Sequence, residues 1–139
     1  MAILLPKKVK HRKWHKGAGV GHGIDNKATK LSFGSYGLKS FGTSRVSSRQ
    51  LEAARRIILR YLKKGGKLWI RIFPQKPITT KGVETSMGGG KGGVDHYVFP
   101  IRPGRIIFEL DGIEETEARE ALAKAADKLS VKTKFIAKR

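Results

Sequence analysis

Few residues in this chain have the types and spacing that catalysis or metal binding would need. There are four histidines and no cysteine, so disulfides and cysteine-based zinc sites are excluded and the redox compartment is left open. His11 and His15 stand four apart, a spacing that puts two imidazoles on one helical face. No third histidine or carboxylate lies nearby, and Arg12, Lys13 and Lys16 would repel a cation. Beside Trp14 these rings suit stacking on bases or riboses better. Gly17, Gly19, Gly21 and Gly23 imitate a dinucleotide-binding fingerprint, but they follow a basic coil rather than a strand and open no helix. Gly88 to Gly93 with Lys91 imitates a phosphate-binding loop, yet Gly92 stands where Ser or Thr would be required. No Ser-His-Asp set or carboxylate pair stands out. An enzyme acting on RNA would have to use His11, His15, His22 or His96 with a neighbouring acid.

The charge is more informative. The 139 residues carry a formal charge of +19, from 30 basic and 11 acidic side chains. Residues 1–80 hold 19 lysines and arginines against only Asp25 and Glu52, whereas residues 81–139 hold 11 against nine. Such an excess repels itself in a compact state and favours an anionic partner. The partner should therefore meet the first half, with the second half as balanced scaffold. Two polyanions fit: a folded RNA, or DNA in a packaging role. No apolar run approaches the roughly 18 residues that cross a membrane. The apolar start from Ala2 to Leu5 precedes the lysines, the reverse of a secretory leader. The segment also differs from an Arg- and Ser-rich transit peptide. No small-molecule substrate or cofactor is implied.

The elements that must position these charges follow from periodicity. Residues 1–30 form a basic N-terminal arm, with Lys7, Lys8, Lys10, Arg12, Lys13 and Lys16 crowding its start. Its glycines break helix and it has no apolar period, so it should be largely disordered when free. The run Phe33-Gly34-Ser35-Tyr36-Gly37-Leu38 suggests a short hairpin within residues 31–41. Ser47 with Gln50 is a capping-box pattern, and Gly65-Gly66 stops the helix it opens. Leu51, Ala54, Ile58 and Leu62 share one face of that helix. Arg49, Arg56, Arg60, Lys63 and Lys64 occupy the opposite face, with Glu52 at its edge. Lys67 to Phe73 alternates as a strand ended by Pro74 and Pro77. A long glycine-rich loop spans 81–93. Tyr97–Ile101 and Arg105–Leu110 pair as a hairpin around Pro103-Gly104. A second helix runs from about Glu114 to Leu129, its acids leading and its lysines trailing as the helix dipole favours. A last strand covers Val131 to Ile136. The fold class is α+β: two helices packed on a mostly antiparallel sheet, with residues 31–139 as one domain carrying the 81–93 loop.

Several blocks resemble a known family. Leu5 to Lys13 followed by His15-Lys16-Gly17 is similar to the basic N-terminus of bacterial large-subunit ribosomal protein sixteen, a family related to archaeal and eukaryotic ribosomal protein ten. Phe33 to Lys39 and Arg49 to Arg56 resemble its next blocks. Trp69-Ile70-Arg71-Ile72-Phe73-Pro74 with Lys76-Pro77-Ile78-Thr79 is the most specific. Met87-Gly88, Gly90-Lys91-Gly92, Glu109 to Gly112, Ala118 to Ala121 and Lys132-Thr133 extend the likeness over nearly the whole chain.

The resemblance implies a hammerhead-like α+β fold and a place on large-subunit rRNA near the aminoacyl-tRNA site and the peptidyl-transferase region. It implies contact with tRNA, neighbouring ribosomal proteins and late entry into the assembling subunit, in a bacterial-type cytoplasmic ribosome. The expected rRNA contacts are Lys7, Lys8, Lys10, Arg12, Lys13, Trp14, His15, Lys16, Arg45, Arg49, Arg56, Arg60, Lys63 and Lys64, with Tyr36 and Phe41 available to stack. The tRNA-proximal loop would be Lys81, Ser86, Met87, Gly88, Gly90 and Lys91. Two departures stand out. Ser86 occupies a position where many members carry a modifiable arginine, and Ser130 replaces a frequent proline, a change expected to alter only a turn. The stretch from Val20 to Lys30 also looks longer than usual.

Overall fold

The structure, a computed structural model, describes residues 4–17, 23–62 and 65–139. Lys63, Lys64, His22 and the glycines at 19 and 21 lie outside the described residues. In chain order the elements are β1 (Tyr36–Ser40), β2 (Ser44–Ser47), α1 (Ser48–Tyr61), β3 (Lys67–Ile70), β4 (Lys76–Thr80), β5 (Gly93–Ile101), β6 (Ile106–Asp111), α2 (Glu115–Ala126) and β7 (Thr133–Ala137).

The strands form two antiparallel sheets rather than one, in the orders β3-β6-β1-β7 and β2-β5-β4. Helix α2 packs on β1 and β7, α1 packs on β2 and β5, and the two helices pack on each other. One core joins both sheets: Leu38, Val46, Ile101, Phe108 and Leu110 from the strands meet Leu51, Ala54 and Ile58 of α1 and Ala118, Leu122 and Ala125 of α2. The apolar stripe of α1 thus faces inward as its period requires. The small side chains of α2 let the helices approach closely.

Three local expectations are corrected. The Phe33–Leu38 run does not form a hairpin. β1 pairs on one side with β6 and on the other with β7. Its glycines answer to close approach, since a Cβ on Gly34 would collide with the Leu110 carbonyl and one on Gly37 with the Leu31 side chain. Likewise β5 and β6 do not pair, although a Pro103-Gly104 turn lies between them. They belong to different sheets, and the segment 102–105 carries the chain from one to the other. There Gly104, with φ +101°, donates its N–H to Ser40 O at 2.9 Å. Finally, Pro77 does not end strand structure. It lies inside β4, an edge strand whose partner is β5, where a missing donor is tolerated.

Candidate nucleic-acid interface

Helix α1 presents its cations because both of its ends and its inner face are settled locally. The Ser47 hydroxyl accepts from the Gln50 N–H while the Gln50 side chain accepts from the Ser47 N–H, so the capping box satisfies two otherwise orphaned donors. Arg49, Arg56 and Arg60 are then exposed. The face is less uniform than its sequence suggests. Glu52 is only 5% exposed and meets Arg55 at 2.5 Å and Arg56 at 3.4 Å. Hydrogen bonding from Arg55, opposed by burial, holds the Glu52 carboxyl below its ordinary 4.5, with further help from the charges of Arg55 and Arg56. Arg56 is therefore partly neutralised within the protein.

The front segment lies against the β4–β5 hairpin, held by lysines that donate to backbone carbonyls. Lys13 Nζ donates to Lys91 O at 2.9 Å, and Lys91 Nζ donates in return to Trp14 O. Lys76 Nζ donates to Lys16 O at 2.7 Å. These bonds position the segment but neutralise no charge. Trp14 is half-buried. It lines both a cavity of about 310 Å³ shared with Lys16, Arg45, Lys76 and Lys91 and a wider groove of about 820 Å³ running past Lys7, Lys10 and Phe73. A third cavity brings Arg12 against Arg49 and His96. Arg12, Lys16, Arg45 and Arg49, distant in sequence, thus converge around the second sheet. Arg56 and Arg60 lie about two and three turns further along α1.

The tip of the β4–β5 hairpin is the glycine-rich stretch, and residues 81–91 are all exposed. Gly88, Gly89 and Gly90 have φ of +119°, +77° and +102°, a region that L side chains rarely enter. Lys81 Nζ donates to Gly88 O at 2.8 Å, folding the tip toward its base. Ser86 and Met87 project from it, and Met87 is fully exposed.

Pairing divides the cations into two populations. Among the described residues, Lys7, Lys8, Lys10, Arg12, Lys13, Lys16, Arg45, Arg49 and Arg60 have no carboxylate partner, whereas Arg71 pairs with Glu109, Arg102 and Arg105 with Asp25, Arg119 with Glu115 and Lys124 with Glu120. Unpaired cations occur among the described residues of both halves, and it is the net balance, 19 against two in residues 1–80 and 11 against nine in residues 81–139, that concentrates charge at the front. Of the aromatic residues, Tyr36 stacks on Phe135 with centroids 5.8 Å apart, so it is committed to the fold rather than to a base. Phe41 stays about half exposed with Lys134 over its ring. His15 accepts from the Gly17 N–H, and no group of metal-ligating side chains occurs among the described residues. His96 lies 2.7 Å from Asp95. Sequence reasoning passed over Lys76 as a site residue. Its only signal was a lone lysine between Pro74 and Pro77, where the chain is held in an extended edge.

Residues 6–136 match the family described as ribosomal protein L16p/L10e. The chain is 50% identical over 136 residues to the large ribosomal subunit protein uL16 of Aeromonas hydrophila, covering 98% of each chain. It is 52% identical over 134 residues to the protein of the same name from Stenotrophomonas maltophilia, covering 96% of each.

Proposed function

Because the chain belongs to the ribosomal protein L16p/L10e family, we propose that it is a structural constituent of the large ribosomal subunit that binds large-subunit rRNA and steadies the aminoacyl-tRNA site beside the peptidyl-transferase region. The observation that carries the rRNA contact is the charge imbalance between the two halves of the chain. Residues 1–80 carry 19 lysines and arginines against two acids, Asp25 and Glu52, so most cations there have no carboxylate to pair with, whereas residues 81–139 carry 11 against nine. Free cations displace counterions from phosphates, a driving force that grows with each contact and weakens with salt. Lys7 to Lys16, Arg45, Arg49 and Arg60 are the principal contacts, Arg56 is a weaker one, and Lys63 and Lys64, which follow α1 in the sequence, add to them.

In this reading residues 1–30 act as an arm on the 31–139 body, and shape rather than a base code sets specificity. The hairpin tip with Lys81, Ser86, Met87, Gly88, Gly90 and Lys91 faces tRNA. Its side-chain-free backbone lets N–H groups approach phosphate oxygens. Ser86 supplies no cation and no modifiable guanidinium there. Neighbouring ribosomal proteins complete the surroundings, in a cytoplasmic ribosome of bacterial type. The named relatives are ribosomal proteins and not enzymes, and no chemistry is required of the His96–Asp95 pair. No helix among the described residues is long and apolar enough to cross a membrane.

The test compares large-subunit rRNA with duplex DNA at the same ionic strength. The chain should prefer the rRNA, co-sediment with large subunits and come off only in high salt. Equal affinity for both polymers would return it to a DNA-packaging role.

A further inference from the structure

Lys76 is the least accessible cation among the described residues, at 1% exposure. Its ammonium has three donors and one acceptor, the Lys16 carbonyl, and no carboxylate accompanies it among the described residues. Burial pushes its pKa below 10.5, and the charges of Arg45 and Lys91 push it further. A buried charge without a counterion is costly, and here two more cations are gathered round it. The lining of the 310 Å³ cavity contains no acid at all. The fold has thus assembled a positive cavity with nothing of its own to fill it. Trp14 forms part of the wall and continues into the adjoining apolar groove, a surface suited to a sugar or base attached to the anion.

Resting on the rRNA reading above, we propose that this cavity seats a single RNA backbone phosphate, held between Lys16, Arg45 and Lys91 above Lys76, with the attached nucleoside against Trp14. The arm and the hairpin each supply part of the seat, so binding here fixes one against the other.

The experiment measures affinity for large-subunit rRNA across a salt series, using the full chain and its Arg45→Gln, Lys91→Gln and Lys76→Met variants. Arg45 and Lys91 are exposed, so their variants report on binding even if Lys76→Met folds poorly. Each exposed variant should bind roughly 3- to 10-fold more weakly at moderate salt and lower the slope of log affinity against log salt by about 0.7 to 0.9. Lys128→Gln, exposed in the turn after α2 and outside the cavity lining, should stay within about twofold of the parent chain. Phosphate-ethylation interference then isolates the seat. The parent chain should reject RNA ethylated at one phosphate that the Lys91→Gln chain accepts. If the parent chain binds rRNA but the variants match Lys128→Gln and share the parent's interference pattern, the seat is wrong and the rRNA reading survives. A parent chain indifferent to rRNA overturns both.

Discussion

At the scale of single residues, the carboxylates of this basic protein act as internal fasteners. Glu109 is fully buried. It accepts from the Ser32 and Phe33 N–H groups at 2.6 and 3.3 Å and meets Arg71 at 2.7 Å. One side chain thus fixes the approach to β1, the residue after β3 and the centre of β6. Arg71 in turn lies over the Phe33 ring, which stacks on Trp69. Glu109→Gln keeps the shape and removes the charge, leaving Arg71 without its partner. A loss of about 2–4 kcal/mol is expected, at or below the range for a broken buried pair because Arg71 retains some solvent. The midpoint of urea unfolding measures it, and an unchanged midpoint would mean that the pair contributes nothing net.

At the scale of elements, the glycines of the Phe33–Leu38 run decide how β1 enters its sheet. A methyl at Gly34 would overlap backbone of Leu110, which a paired central strand cannot readily move. Gly34→Ala should therefore cost about 1–3 kcal/mol as overpacking. Gly93→Ala, where an added methyl meets nothing and φ is not positive, should be near neutral. Thermal melting of the two variants compares them directly. Both helices were legible in the sequence because an inward stripe is a local signal, joined in α1 by the capping box and in α2 by acids leading and a lysine trailing. Strand partners were not, because glycine marks a turn and a close approach alike, and Pro103-Gly104 reads as a hairpin whether or not its flanks pair. The candidate site was legible as charge but not as geometry. Nothing local reveals that Lys76 would be covered by the arm, or that Glu52 would be buried at the edge of the cationic face. Ser130 was also underestimated. Its hydroxyl lies 3.1 Å from the Arg45 carbonyl, 2.9 Å from Ser44 Oγ and 3.4 Å from the Gln50 side chain, so it ties the approach to β7 to the start of α1.

At the scale of the whole molecule, charge is segregated along the chain. The second half nearly balances its 11 cations with nine acids, whereas the front half, α1 included, sets 19 against two and is the unbalanced surface. This predicts unequal contributions from two neighbouring arginines on one helix. Arg60→Gln should lower the salt slope for rRNA binding by close to one phosphate contact, about 0.7 to 0.9. Arg56→Gln should lower it by visibly less, because Glu52 already takes part of that charge. Equal slopes for both variants and the parent would mean that this face is merely solvated.

The latch at Asp25 bears on any attempt to trim the chain. Asp25 is 6% exposed, donates its backbone N–H to Pro103 O at 2.8 Å, and sets its carboxylate 3.6 and 3.4 Å from Arg102 and Arg105. A shortened version starting at Leu31 would retain every helix and strand found among the described residues, yet strand two guanidiniums at the bridge between the sheets, and would strip the cover from Lys76. Asp25 is thus a keystone for the passage between sheets, and a deletion mutant's weakness would report damaged architecture as well as any loss of the proposed RNA contacts.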